Sequence, residues 1–313
     1  MSLEQEFTIA AAAQAPAHPN NAAAPPAQAL PQRHRTLWGD VWRRLRRDPA
    51  ALSSVIFLVL LVLLVVLAPF VAPRGYAAQD YTSLRALPNT RYWLGTDNAG
   101  RDLWARLVYG GRISLFVGVS VQLVALAVGV PLGLIAGFYG GRADAVIMRV
   151  VDVLYAFPNL LFAILLMSWL GPGLTNILVA LSITGWLTLC RVVRAQALSL
   201  RTRDFIEAAR AVGVPPWRIL LAHVLPNTLS VIITTVTFGI PQAILAEASL
   251  SFIGIGISPP MPSWGQMVSD NILYIRSSWH LAVFPAVALG LTMLAFTSFG
   301  DGLRDALNPR AHE

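Results

Sequence analysis

Residues 207–227 read EAARAVGVPPWRILLAHVLPN and set Glu207, Arg210, Arg218 and His223 between two long apolar runs. Acid, base and imidazole in one short link could in principle serve proton transfer, but nothing nearby offers a nucleophile or a metal constellation, so a membrane enzyme has no evident machinery. Glu247 is the other conspicuous group, a carboxylate inside an apolar run. An intramembrane carboxylate is costly and faces a cavity or a partner. Two roles follow for it: lining a pathway and meeting a substrate amino group, or making a buried contact with a neighbouring helix. Asp97 and Asp102, in GTDNAGRD, are too few for a metal site, and Gly95, Asn98 and Gly100 give that segment turn chemistry. Asp152 lies three residues from Arg149, which predicts an intrahelical pair.

The basic residues decide more. All 23 are arginines, so a Walker A loop, which needs a lysine on the phosphates, is excluded. If ATP drives this protein, another chain hydrolyses it. The net charge of +7 is spread along loops and matches no nucleic-acid motif, so nucleic acid is set aside as a partner. Cys190 is the single cysteine and lies in an apolar run, where it reads as a small buried hydrophobe.

The elements that must position these groups are membrane spans. The chain is 56% hydrophobic and 12% charged, about half the charged share of soluble domains. Residues 1–36 are rich in Ala, Pro, Gln and Asn and read as a disordered tail rather than a signal peptide. A basic segment, 37–50, precedes a first span at 51–72, which is long enough for a bilayer core of about 30 Å. Five more spans are expected near 113–138, 146–170, 174–196, 229–256 and 280–299. The fold class is therefore all-α and polytopic, with an outer link at 73–112, a five-helix domain at 113–300 and a tail at 301–313. The arginines before the first span put both termini in the cytoplasm by the positive-inside rule. The arginines of the link after the fourth span agree. Arg74, Arg85, Arg91, Arg101, Arg106 and Arg112 on the first outer link do not fit.

The polar link at 202–227 divides into two short helices. Phe205, Ala208, Ala209 and Val212 make one apolar stripe, and Arg203 and Glu207 stand at i and i+4. Gly213 supplies the left-handed residue that ends the first helix. Pro215 or Pro216 opens the second, whose stripe is Trp217, Leu220, Leu221 and Val224, and Pro226 closes it. Periodicity alone leaves two readings equal: an interfacial connector lying on headgroups, or a docking element for a partner. SPPMPSW (Ser258 to Trp264) reads as a rigid outer loop with Trp264 at headgroup level.

Glu207-Ala208-Ala209, Gly213 and Leu225-Pro226 resemble the EAA loop of bacterial ABC importer permeases, and His223 and Asn227 resemble its peptide-transporter branch. WLGTDNAGRDLWARLVYGGRISL, ILAEASLSFIGIGISPPMPSWGQMVSD and GDGLRDALNPR are similar to further segments of dipeptide, oligopeptide and nickel permeases, over roughly residues 40–310. The long first outer link resembles the C-type member of the permease pair. The resemblance implies a type I importer permease fold with six transmembrane helices in the bacterial inner membrane. It implies a role as half of a translocation pathway, for peptides or for a nickel chelate, glutathione or other small solute. The implied partners are a homologous B-type permease, two ATPase subunits that use ATP and Mg, and a substrate-binding protein. Glu207, Ala208, Ala209, Gly213, Trp217, Leu225 and Pro226 are the implied coupling residues, and Glu247 is a pathway candidate. No catalytic residue or bound cofactor is implied for this chain. An ion-gradient-driven secondary carrier is the alternative of another class; it would require inverted repeats and broken-helix ion sites.

Overall fold

The computed structural model describes residues 37–307, so the tail expected at 1–36 and residues 308–313 of the one expected at 301–313 lie outside the described residues, while 301–307 continue the last helix instead of beginning a tail. Helix α1 (Leu37–Leu45) precedes α2 (Pro49–Val66) and a single turn, α3 (Ala68–Val71). Asp48 caps α2: its carboxylate accepts from the Ala50 N–H at 2.9 Å, and Pro49 fills the first position, where no N–H is needed. Then come α4 (Leu103–Tyr139), α5 (Gly141–Tyr155), α6 (Asn159–Leu170), α7 (Leu174–Gly185) and α8 (Leu187–Arg201). The link that follows holds α9 (Asp204–Ala211) and α10 (Pro216–Ile219), then α11 (Leu225–Phe252), α12 (Trp264–Asn271) and α13 (His280–Leu307).

Among the described residues, five stretches are long and apolar enough to cross a membrane: α2, α4, α7 with α8, α10 through α11, and α13; a sixth counts if α5 and α6 form one bent span. That pair corrects the expected uninterrupted span at 146–170. The chain turns by 78° between Tyr155 and Asn159. Pro158 has no N–H for the ladder and pushes Phe157 out of the helical region, so the helix restarts on a new axis. Helix α4 begins at Leu103, ahead of the expected 113, because Asp102 caps it by accepting from the Trp104 N–H at 3.0 Å.

Helix α8 lies along α4 at backbone contact. A Cβ added at Gly129 would lie 2.8 Å from the Trp186 carbonyl oxygen, at Gly133 2.6 Å from that of Cys190, and at Gly137 2.5 Å from that of Arg194. Glycine at every fourth position gives α4 a flat rail for α8, the small-residue packing that membrane helices use where water no longer drives association. Cys190 is fully buried in this contact. From the other side, α5 is tied to α8 by two Arg–Asp pairs, Arg194 with Asp144 and Arg191 with Asp152, the latter at 2.6 Å. Asp152 therefore pairs across helices rather than with Arg149, and the Tyr155 ring beneath the Arg191 guanidinium, 4.1 Å away, holds it there.

Trp264 is also a correction. Its side chain is 1% exposed, and its indole N–H donates to the Leu107 carbonyl at 3.0 Å. Gly110 and Gly111 make the room: a Cβ at Gly111 would lie 2.7 Å from the ring. A headgroup anchor needs one wet edge, and this indole has none.

The Arg-rich segment between α3 and α4 is folded around its own acids. Asp97 accepts from the Arg101 guanidinium at 2.7 Å and from the main-chain N–H groups of Ala99 and Arg101, and pairs with the Arg106 guanidinium 3.3 Å away. Arg91 lies 3.5 Å from Asp80, and Arg74 lies 3.8 Å from Asp102 and over the Tyr92 ring. The Asp80 carboxylate accepts from the Thr82 hydroxyl at 2.5 Å, the Tyr92 hydroxyl at 2.8 Å and the Thr82 N–H at 3.1 Å.

Two outcomes follow. Trp264→Ala leaves a cavity under a buried ring and lowers stability by about 3–5 kcal/mol, whereas the same change at Trp279, which is 56% exposed, costs far less; thermal denaturation of the detergent-solubilised protein compares them, and equal losses would refute the buried placement. The Thr82 hydroxyl, then that of Tyr92, hold the Asp80 carboxyl down to about 2. A depressed folded value means that its stabilisation is complete above about pH 4 and is lost as pH falls through about 2. Pepsin cleavage within residues 78–102 should set in across that window, and Asp80→Asn should be cut already at about pH 5; identical profiles would contradict the assignment.

Candidate functional site

The link at 202–227 is a knob with a buried base and an exposed apolar tip. Arg203 sits at the capping position of α9 with extended backbone, and its carbonyl accepts from the N–H groups of Ile206 and Glu207 at 2.9 and 3.1 Å. No ion pair joins Arg203 to Glu207 among the described residues, because the cap position lies outside the helical spacing that would bring the two side chains together. At the other end, Gly213 has φ +79. Its N–H donates to the Arg210 carbonyl at 3.0 Å and that of Val214 to the Ala209 carbonyl at 3.1 Å, a complete Schellman closure.

The second half departs from the expected closed helix. The backbone does not stop at Pro226 but runs as one helix from Pro216 to Phe252. The segment Leu220–Val224 is a π-turn, in which the Leu225 N–H reaches the Leu220 carbonyl five residues back. The wider turn accommodates the proline ring that would collide with the carbonyl four residues before it in a regular helix. The Asn227 side-chain amide donates to the His223 carbonyl at 2.6 Å, adding a bond where Pro226 supplies none. The knob's second half is therefore the end of α11 itself.

The stripes also divide differently. Ile206, Ile219 and Val224 are fully buried and Leu220 nearly so, packed with Leu134 and Phe138 of α4, Leu189, Val193 and Ala197 of α8, and Ile232 of α11. Phe205 (43% exposed), Val212 (80%), Trp217 (59%) and Leu221 (54%) face outward. Both short helices carry apolar residues on two sides, so periodicity finds a stripe without telling which side the chain itself covers. Glu207, Ala208, Arg210, Gly213, Arg218 and Pro226 are exposed around this tip, while Ala209 and Leu225 are partly covered. Arg210 lies over the Phe138 ring, 5.3 Å away, and ties the rim to α4.

Glu247 lies elsewhere. It is fully buried, with one oxygen accepting from the Ser251 hydroxyl at 2.7 Å and the other from the Ser114 hydroxyl at 3.2 Å. Ser114 in turn accepts from the Trp264 N–H at 3.4 Å. The carboxylate thus joins α4, α11 and the start of α12, and it is absent from the lining of two cavities that border α11 among the described residues. Sequence reasoning passed over Gly129, Gly133 and Gly137, although their four-residue spacing in an apolar run was the available signal. It also passed over Ile206 and Ile219, which anchor the knob.

Residues 129–313 match the family described as binding-protein-dependent transport system inner membrane component, and residues 36–88 match the N-terminal TM domain of oligopeptide transport permease C. The chain is 43% identical to the dipeptide transport system permease protein DppC of Bacillus subtilis, over 87% of this chain and 85% of that one. It is 42% identical to the glutathione transport system permease protein GsiD of Pectobacterium atrosepticum, over 88% and 92%. It is 39% identical to the oligopeptide transport system permease protein OppC of Bacillus subtilis, over 91% and 93%. An inward-facing structure of the MetNI methionine ABC transporter aligns with TM-score 0.54 at 20% identity, covering 65% of this chain and 96% of that one, and shares the fold. With its apolar helices, its knob and these matches, the chain belongs to the binding-protein-dependent transport system inner membrane component family, as a multi-pass permease of the bacterial inner membrane.

Proposed function

We propose that this chain is the C-type permease subunit of a peptide importer, and that its knob couples ATP hydrolysis in separate subunits to movement of the membrane helices. One observation carries the reading: Phe205, Val212, Trp217 and Leu221 are exposed at the tip of an element whose base is fixed by the buried Ile206, Ile219 and Val224. Exposed aromatic and aliphatic side chains within a charged rim are the anatomy of a protein–protein hot spot. Arg203, Asp204, Glu207, Arg210 and Arg218 supply that rim, which suits a protein groove better than lipid tails. The dipeptide, oligopeptide and glutathione permeases to which the chain is similar support peptides or peptide-like solutes as cargo.

In this reading two ATPase subunits bind ATP and Mg, a homologous B-type permease completes the pathway, and a substrate-binding protein delivers cargo to the opposite face. The permease itself performs no catalysis. Both termini and the knob are cytoplasmic, since Arg44, Arg46 and Arg47 lie next to the start of α2 and Arg201, Arg203, Arg210 and Arg218 lie on or beside the knob. The arginines of the 73–112 segment still count against this orientation, although several are paired with Asp80, Asp97 and Asp102, because the rule counts basic residues and not net charge. Glu247 serves this machine as a fixed joint between α4 and α11.

The test uses the complete complex in proteoliposomes. Glu207→Lys and Gly213→Asp should leave the permease inserted and assembled while uptake is lost and ATP hydrolysis no longer responds to cargo. Trp217→Ala, removing a hot-spot ring, should weaken ATPase association by about 30-fold, the equivalent of about 2 kcal/mol. Uptake and stimulated hydrolysis at wild-type levels in all three would reject the coupling role. Uptake that persists without the ATPase subunits would favour a secondary carrier instead.

A further inference from the structure

Helix α11 presents one face along several turns: Ser230, Thr234, Phe238, Gln242 and Ala246 follow at four-residue spacing. This row borders two cavities. One, of about 310 Å³, lies among α4, α6, α7, α8 and α11, away from the knob. The other, of about 450 Å³, lies nearer the knob, between α11 and the last turn of α13. Thr235 and Phe238 border both.

The lining of the first cavity is uncharged, with Val121, Leu181, Leu189 and Phe238 interleaved among polar side chains. Gln122, Asn159, Thr184, Thr188, Thr235 and Gln242 bring amides and hydroxyls to it, and no acidic or basic side chain is among its lining residues. Such groups are costly in a membrane interior unless something meets them; the Thr235 hydroxyl already donates to the Val231 carbonyl at 2.7 Å and offers the cavity only its acceptor side. Gln122 is held close to α11 because residue 239 is glycine: a Cβ there would collide with the Gln122 amide. Amides and hydroxyls both donate and accept, which matches the N–H and C=O pairs of a peptide main chain and ignores the charge of its side chains. A fixed charge would instead favour one sign and hold it too firmly for passage. The volume fits a solute of a few residues.

Phe238 marks the boundary. Its ring lies in a notch on α13 that exists because residue 300 is glycine; a Cβ at Gly300 would stand 2.9 Å from the ring. We propose that this face of α11 is the surface the moving solute meets. Gln122, Asn159, Thr188, Thr235 and Gln242 bind main-chain amides irrespective of side-chain charge, and Phe238, seated on Gly300, separates the two chambers. The proposal rests on the reading of the chain as a peptide permease.

Two arms test it in the complete complex. In the first, uptake of dialanine, Ala-Lys and Ala-Asp is compared. The wild type should handle the three alike, and Gln242→Glu should raise the Ala-Lys to Ala-Asp ratio by about fivefold or more. An unchanged ratio overturns the binding role. In the second, Gln242→Cys is exposed to a charged, membrane-impermeant thiol reagent from the knob side, with the buried Cys190 as the silent control. Labelling should be slow, and Phe238→Ala should speed it by about tenfold. Equal rates with and without the ring overturn the two-chamber arrangement, whether or not the Gln242→Glu complex assembles. If the wild type takes up no peptide, the cargo reading fails by itself, and the labelling arm still decides the path.

Discussion

The approach of α8 to α4 without intervening side chains is the constraint on which the rest of this structure depends. Lipid tails are as apolar as leucine, so two spans gain little by hiding apolar surface from them; close van der Waals contact has to hold them together. Gly129, Gly133 and Gly137 remove the obstacle on α4, and the carbonyls of Trp186, Cys190 and Arg194 on α8 lie where their Cβ atoms would be. Gly118 continues the principle toward α11, where a Cβ would meet Ile244 at 2.8 Å. The three helices thus pack as a set, and α8 emerges from it at a defined height. The chain then has two residues, Thr202 and Arg203, in which to turn into α9, so the knob is placed by the rail below it.

The knob gains its rigidity from the same packing. Leu134 and Phe138 follow the last rail glycines and share one core with Leu189 and Val193 of α8 and with Ile206, Ile219 and Val224 of the knob. Because α10 runs through the π-turn into α11, a push on Trp217 is a push on the span that carries Glu247. That carboxylate, bound by Ser114 and Ser251, connects α11 to α4. Asp144 and Asp152 secure the bent α5–α6 pair to the outside of α8.

Much of this was legible in the residues. The apolar runs located the spans, Gly213 announced a left-handed helix end, and the EAA pattern pointed to the permease family. What escaped was decided between segments distant in sequence. Pro158 was readable as a helix break but is surrounded by enough apolar residues to look like one span. Trp264 sits in a proline-rich loop that reads as surface, and its burial depends on Gly110 and Gly111, about 150 residues earlier. Asp152 had a local candidate in Arg149 and pairs with a distant one, Arg191, at 2.6 Å. Pro226 looked like a terminator because the π-turn that absorbs it has no sequence signature of its own. The outward aspect of Trp217 could not come from periodicity, since Ile206 and Ile219 offered an equally apolar opposite side.

The central claim is that the knob and the inner half of α11 move as one body. Spin labels at Val212→Cys and Leu229→Cys, both exposed, would report the distance across that unit in the complete transporter, with and without ATP. A single narrow distance, unchanged by nucleotide, is the predicted result. A distance that splits or shifts when ATP binds would show that the knob hinges on α11, and would contradict the account.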